Sequence, residues 1–99
     1  MPEVRMTKRP GKGEMTEAAD DSILLCRIGD DYHAISNICS HAHVMLTLGK
    51  LRGTTVTCPL HGAQFDVRTG KCLSGPPKLD LPCYTVREEG DELIITTDS

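Results

Sequence analysis

The chain has 99 residues, a formal net charge of −3 at pH 7, one Phe, two Tyr and no Trp. This weakly acidic balance argues against nucleic-acid binding, which needs Lys and Arg to neutralise phosphates. No apolar run is long enough for a membrane span, and the polar N-terminus lacks the apolar region of a secretory signal. Five Cys, an odd number, do not make a disulfide framework. We therefore predict one small domain, residues 1–99, in a reducing cytoplasm.

Short strands separated by turn signals are predicted along the whole chain. The predicted strands are 4–7, 22–28, 32–36, 51–53, 54–58, 64–67, 82–88 and 92–97. Gly and acidic residues predict turns at 29–31 and 89–91, whereas Gly and two Pro exclude regular structure over 74–77. The only candidate helix, 15–20, is short and could equally be a strand or a loop. The pattern predicts an all-β fold, an antiparallel sandwich or barrel.

Two short stretches each offer one thiol and one imidazole. Cys39 and His41 form C-x-H, Cys58 and His61 form C-x-x-H, and residues 42–57 separate them. Two Cys and two His suit zinc or an iron–sulfur cluster. A zinc finger usually takes both Cys from one knuckle and both His from a later helix. Here each stretch supplies one of each, which favours a Rieske 2Fe–2S centre, where two His replace two Cys on one iron.

The residues around the second pair are distinctive. They read C-P-L-H-G-A-Q-F-D at 58–66, T-G-K at 69–71 and G-P-P at 75–77. With these segments, the chain from about 4 to 97 resembles the Rieske ferredoxins that serve bacterial aromatic-ring dioxygenases. Four upstream residues also fit that family: Leu46, Gly49, Leu51 and Gly53.

This resemblance implies a ligand set and an architecture. Cys39 and Cys58 would bind one iron, and His41 and His61 would bind the other, with one cluster per chain. The two ligand loops would form a small cluster-binding subdomain, about 38–77, that projects from a β base. The G-P-P segment would form the loop that covers the cluster.

Four positions depart from the high-potential Rieske proteins of respiratory and photosynthetic complexes. Those proteins carry a disulfide between the two loops, but Val44 and Leu60 occupy the matching positions here. Ala63 and Phe65 stand where those proteins place Ser and Tyr hydroxyls near the cluster sulfurs. Fewer hydroxyl donors leave the reduced cluster less stabilised, so we predict a potential of roughly −150 mV rather than +300 mV. Redox titration checks this value.

Other His and Cys residues have simpler interpretations. His43 is compatible with a metal site, but His41 fits the family spacing better, which leaves His43 as a surface loop residue. His33 is expected to be a partly exposed strand residue. Cys26 and Cys83 lie in predicted strands and are expected to be small buried hydrophobes. Cys72 precedes the G-P-P segment, and packing is favoured over an approach to the cluster.

The resemblance implies a soluble one-electron carrier that is not itself an enzyme. It would take electrons from a flavin or iron–sulfur ferredoxin reductase and pass them to a terminal Rieske oxygenase that dihydroxylates an aromatic ring. We expect a monomer with weak, small-area docking to both partners. One alternative is a Rieske-like small subunit of an assimilatory nitrite reductase. Another is a zinc-stabilised binding module with no redox role.

Overall fold

Short apolar segments and tight turns fold the chain into antiparallel strands, which we describe from a computed structural model. The structure describes residues 3–7, 9–19, 22–38, 44–59, 62–74 and 80–97. Within these ranges the elements, in chain order, are β1 Glu3–Met6, β2 Met15–Ala18, β3 Ile23–Ile28, β4 Asp31–Ser36, the 3₁₀ helix η1 Leu46–Leu48, β5 Lys50–Arg52, β6 Thr55–Thr57, β7 Gln64–Asp66, β8 Cys72–Ser74, β9 Cys83–Glu89 and β10 Glu92–Thr96.

The strands form one larger and one smaller sheet. The six-stranded sheet has the order β1-β10-β9-β4-β3-β2, and the four-stranded sheet has the order β5-β6-β7-β8. Every pairing within both sheets is antiparallel. The all-β antiparallel class predicted from the sequence is therefore confirmed. The small sheet lies inside the predicted cluster-binding subdomain, about 38–77, whose boundaries stay a prediction.

Strand β3 is apolar on both faces and serves two cores. Side chains alternate between the faces of a strand, so Leu24 and Cys26 share one face while Ile23 and Leu25 share the other. Leu24 and Cys26 belong to a core that also contains residues of the small sheet, among them Phe65. Ile23 and Leu25 belong to a second core with apolar residues of β10. Burial on both faces explains the continuous apolar run that the sequence shows here.

The predicted turns lie at the ends of paired strands. Strands β3 and β4 close with the pair Ile28 and Asp31, which leaves Gly29 and Asp30 as a two-residue loop. Gly29 has a φ of 62°, a conformation that costs Gly no Cβ clash. The last hairpin closes with Glu89 opposite Glu92. The turn predicted at 89–91 is confirmed, and only Gly90 and Asp91 lie between the paired strands.

One local prediction needs correction, one alternative is decided and one element is new. The sequence of 15–20 fits a helix, a strand or a loop, and its described part is a strand, since Met15–Ala18 pairs with β3 at the sheet edge. Ser74 was predicted to be irregular, but it ends β8, which pairs with β7 through a bulge between Gln64 and Phe65. The 3₁₀ helix Leu46–Leu48 was not predicted, and its three residues are too few to give a helical period. No helix among the described residues is long and apolar enough to cross a membrane.

Candidate metal centre

The second predicted ligand stretch begins where strand β6 ends. Cys58 follows Thr57 directly and is only 1% exposed. The Cys58 N–H donates to the Ala63 carbonyl at 2.7 Å, and the Gly62 N–H donates to the Cys58 carbonyl at 3.2 Å. Gly62 has a φ of 72°. The two hydrogen bonds join the residues on either side of 60–61, which we call the second neck (Cys58, Gly62 and Ala63), and leave a buried thiol at the base of this connection.

The first predicted stretch is fastened by a buried polar side chain. Asn37 is fully buried and follows strand β4. Its carbonyl accepts the Leu46 N–H at 2.7 Å, and its Oδ1 accepts the Thr47 N–H at 3.0 Å. The Asn37 Nδ2 also donates to Thr47 Oγ1 at 3.4 Å, and Ile38 pairs with Met45 in an isolated bridge. The residues on either side of 39–43 are therefore joined to each other. We call these residues, Asn37 and Ile38 on one side and Met45, Leu46 and Thr47 on the other, the first neck.

Gly49 brings the two necks into contact. A Cβ built on Gly49 would collide with the carbonyl oxygen of Thr57 and lie 3.2 Å from Cδ of Pro59. A side chain at this position would thus push apart the segment after the first neck and the start of the second. Absence of a Cβ permits this close backbone approach. Cys58, the candidate ligand that the structure describes, lies between Thr57 and Pro59 at this junction.

The third segment near the site is fastened at both ends by side chains. The Cys72 N–H donates to Asp80 Oδ1 at 2.9 Å. The Ser74 hydroxyl donates to Gln64 Oε1 at 3.2 Å. These bonds tie the chain before and after residues 75–79 to each other and to β7. The G-P-P segment expected to cover the cluster lies within 75–79, outside the described residues.

The environment of Cys58 is apolar. Cys58, Ala63 and Phe65 are each 1% exposed or less and belong to the same buried core. Neither Ala63 nor Phe65 carries a hydroxyl that could donate to a nearby sulfur. A buried thiol at the end of a strand fits a sulfur ligand of an iron–sulfur cluster, because thiolates are the soft donors that such clusters select.

The structure describes one of the four predicted ligands. Cys58 is placed as above, whereas Cys39, His41 and His61 lie outside the described residues. Within the described ranges, no group of three or more His, Cys, Asp or Glu side chains could hold a metal ion. The four-residue ligand set therefore stays a prediction.

The other His and Cys predictions have mixed outcomes. Cys26 is fully buried, as predicted, and burial raises the pKa of its thiol to about 12. Cys72 is also buried in the core that includes Cys58, which confirms packing. Cys83 was predicted to be buried but is exposed, because it opens β9, most of whose residues face solvent. His33 is half-buried on β4, as expected, and His43 lies outside the described residues.

Sequence reasoning missed two residues that position the loops, Asn37 and Asp80. Asn37 had a local signal, since a polar residue just after a predicted strand and two before Cys39 suggests a side-chain-to-backbone contact. Asp80 had none, because its partner Cys72 lies eight residues earlier on another element.

The described residues thus form a small antiparallel β protein in which a buried thiol, Cys58, lies at the start of one of two hydrogen-bonded chain connections. Residues 3–85 match the family model of the Rieske [2Fe-2S] domain. The chain belongs to this family.

Similar proteins narrow the class further. The chain is 37% identical over 86 residues to the ferredoxin component of biphenyl 2,3-dioxygenase from Rhodococcus jostii (strain RHA1), covering 87% of this chain and 80% of the relative. A solved ferredoxin of carbazole 1,9a-dioxygenase from Nocardioides aromaticivorans IC177 shares 35% identity at a TM-score of 0.78. That alignment covers 91% of this chain and 88% of the other.

A further solved relative comes from a complex of reduced oxygenase and oxidised ferredoxin in carbazole 1,9a-dioxygenase. The matching chain shares 26% identity at a TM-score of 0.82, with 95% of this chain and 90% of the other covered. The comparisons confirm the predicted Rieske fold, the 2Fe–2S cofactor and an electron-carrier role that is not enzymatic. They favour the cluster over the zinc alternative.

Proposed function

We propose that this chain is the ferredoxin component of an aromatic-ring dioxygenase system. It accepts one electron at a time from a flavin or iron–sulfur ferredoxin reductase in the cytoplasm and delivers it to a terminal Rieske oxygenase. The family match over residues 3–85 carries the proposal. Ferredoxin components of biphenyl and carbazole dioxygenases among the relatives support the aromatic-ring class. The same relatives favour this role over a nitrite reductase subunit.

The proposed ligands are divided between the two fastened stretches. Cys39 and Cys58 bind one iron, and His41 and His61 bind the other. Burial of Cys58 supports its part in this set, because a sulfur at the inner iron is shielded from water. When bound, the cluster supplies a one-electron redox centre whose potential depends on ligands, hydrogen bonds and solvent exposure.

The chain's own residues set the conditions for electron transfer. Asn37 and the Cys58–Ala63 hydrogen bond fix the two necks, so each ligand stretch starts and ends at a defined place. Ala63 and Phe65 provide apolar walls without hydroxyl donors. A bound cluster would find no hydroxyl donor on these two side chains, which supports a potential of roughly −150 mV, still a prediction for redox titration.

Replacement of Cys58 tests the proposed ligand set. Cys58→Ser removes a thiolate, and we expect less than about one tenth of the wild-type electron transfer from a reductase to the oxygenase, because a lost ligand abolishes the cluster. Iron and acid-labile sulfide are measured on the same samples.

Cys26→Ala is the matched control. Cys26 is a second buried thiol of the same core, but it is not a proposed ligand, so this variant should keep its iron, sulfide and electron transfer. Full transfer by Cys58→Ser, or equal loss in both variants, would contradict the assignment of Cys58.

A further inference from the structure

A cleft opens beside the proposed sulfur ligand Cys58. Its volume is about 650 Å³. Residues from η1, β5, β6, β7 and the base of the second stretch line it, among them Leu48, Lys50, Arg52, Cys58 and Gln64. Lys50 and Arg52 are two residues apart on β5, so their side chains project from the same face of the strand. The cleft is therefore lined both by two cations of β5 and by the base of a ligand stretch.

These two cations differ from six of the seven other cations that the structure describes; the seventh, Lys71, also has no ion pair with a described residue. Six other described cations form ion pairs with carboxylates within 4 Å: Arg5, Arg9, Lys12, Arg27, Arg68 and Arg87. Lys50 and Arg52 are exposed and have no ion-pair partner within the described parts of the chain. In a chain of net charge −3, this leaves a local positive surface beside the cleft.

An exposed apolar side chain lies beside the same cations. Leu48 is 64% exposed, the largest value among the large hydrophobic residues that the structure describes. It precedes Gly49, whose backbone contacts the second neck. An apolar centre with charged residues at its edge is the usual composition of a protein–protein interface. We call Leu48, Lys50 and Arg52 together the β5 edge.

We infer that the β5 edge is the docking surface for the terminal oxygenase and that it meets carboxylates on that partner. This inference rests on the proposed function. Two unpaired cations attract an acidic protein face and raise the rate of encounter, while Leu48 supplies apolar contact area. The oxygenase is the chosen occupant because a related ferredoxin occurs in a complex with reduced oxygenase.

A pair of double variants tests the inference in the full-length, cluster-loaded protein. K50Q/R52Q removes the cations of the β5 edge. K12Q/K71Q is the matched control: it removes the same amount of charge, and neither Lys12 nor Lys71 lines the cleft. The measured quantity is the second-order rate constant for electron transfer from each reduced protein to the oxidised terminal oxygenase of the same system, as a function of ionic strength.

The inference predicts a specific loss. K50Q/R52Q should lower the rate constant roughly fivefold at low salt and flatten its dependence on ionic strength, because steering by surface charge is screened by salt. K12Q/K71Q should change the rate less than about twofold. Ferricyanide, a trianion, should likewise oxidise reduced K50Q/R52Q more slowly than reduced K12Q/K71Q. Oxidation by tricationic hexaamminecobalt(III) should be faster for K50Q/R52Q than for the control.

Other results would overturn the inference. Equal rates for the two double variants would mean that only net charge matters, and a faster rate for K50Q/R52Q would mean that the oxygenase presents cations. The rate of reduction of each variant by the ferredoxin reductase is measured in parallel; if K50Q/R52Q slowed that step and left transfer to the oxygenase unchanged, the β5 edge would belong to the reductase contact instead. A wild-type chain with an intact cluster but no transfer to the oxygenase would refute the proposed function, and the named partner with it.

Discussion

The two ends of this molecule are held together by different forces. The six-stranded sheet carries a core of alternating apolar residues, such as Leu25 and Ile95, that does not include Cys58. The end that carries the ligand stretches has its own core, which includes Cys58, and its two necks are joined by backbone and side-chain hydrogen bonds and by the Gly49 contact. Metal affinity adds to folding stability where a site exists only in the folded state. The comparison therefore predicts that the cluster stabilises one end far more than the other.

The sharpest test of this difference replaces neighbouring residues of β3. Leu24 and Leu25 are both fully buried, but Leu24 belongs to the core shared with Cys58 and Leu25 to the other core. Leu→Ala at either position should lower the free energy of unfolding by about 2–5 kcal/mol, from lost burial and a cavity. Urea unfolding of the cluster-loaded proteins measures this change.

Only one of the two variants should affect the cluster. Leu24→Ala should lose iron to a chelator severalfold faster than wild type, as followed by visible absorbance, whereas Leu25→Ala should lose it at nearly the wild-type rate. Similar rates of iron loss in both variants would show that the core of Leu25 supports the cluster as much as the core of Leu24 does.

The neck hydrogen bonds should give a smaller effect. Asn37→Ala leaves the half-buried Thr47 N–H without its acceptor, which should cost about 1 kcal/mol, the low end of the cost of an unsatisfied donor. Amide hydrogen exchange should become faster at Leu46 and Thr47 but not at Ile95. Thr47→Ala is the control, since it removes only the longer 3.4 Å bond and should cost less. Unchanged exchange at the neck in Asn37→Ala would contradict the role given to this side chain.

The smallest predicted effect concerns the turn after β7. Asp66 accepts hydrogen bonds from the Arg68 guanidinium at 2.9 and 3.1 Å, and these bonds hold the pKa of the Asp66 carboxyl below its usual value. A lowered folded-state pKa stabilises the fold above the unfolded-state value of about 3.9 and loses that contribution as the pH falls through the folded-state pKa. The stability of wild type should therefore drop more steeply than that of Asp66→Asn below about pH 4.

Chemical unfolding at a series of pH values measures this difference. Asp91→Asn, on the exposed last turn, serves as the control and should follow the wild-type curve. Parallel curves for wild type and Asp66→Asn would show that the Arg68 contact contributes nothing to stability.

Local signals explain which parts of the fold could be predicted. The turn at Gly29 and Asp30 and the β-branched run of β6 depend on neighbouring residues, and the sequence contains both. Strand β2 and strand β8 depend on pairing with β3 and β7, which no local pattern encodes. The exposure of Cys83 depends on which face of β9 meets the core, so its residue type alone suggested burial wrongly.

The candidate site likewise has a part that the local sequence predicts and a part that only the fold shows. The spacing of the Cys and His residues predicts a set of ligands, because a metal centre needs particular donors close together in short stretches. The side chains that hold those stretches, Asn37 and Asp80, act on residues eight to ten positions away. Such contacts require the fold. The β5 edge also required the structure, because the sequence does not show which cations have carboxylate partners.

The central claim is that this chain holds one cluster with two Cys and two His ligands and uses it to carry electrons. The most direct measurement is an EPR spectrum of the dithionite-reduced protein together with iron and acid-labile sulfide analysis. We predict two irons and two sulfides per chain and an average g below that of a cluster with four Cys ligands. A colourless protein with one zinc, no sulfide and no EPR signal would contradict the account and leave the two stretches with a structural role.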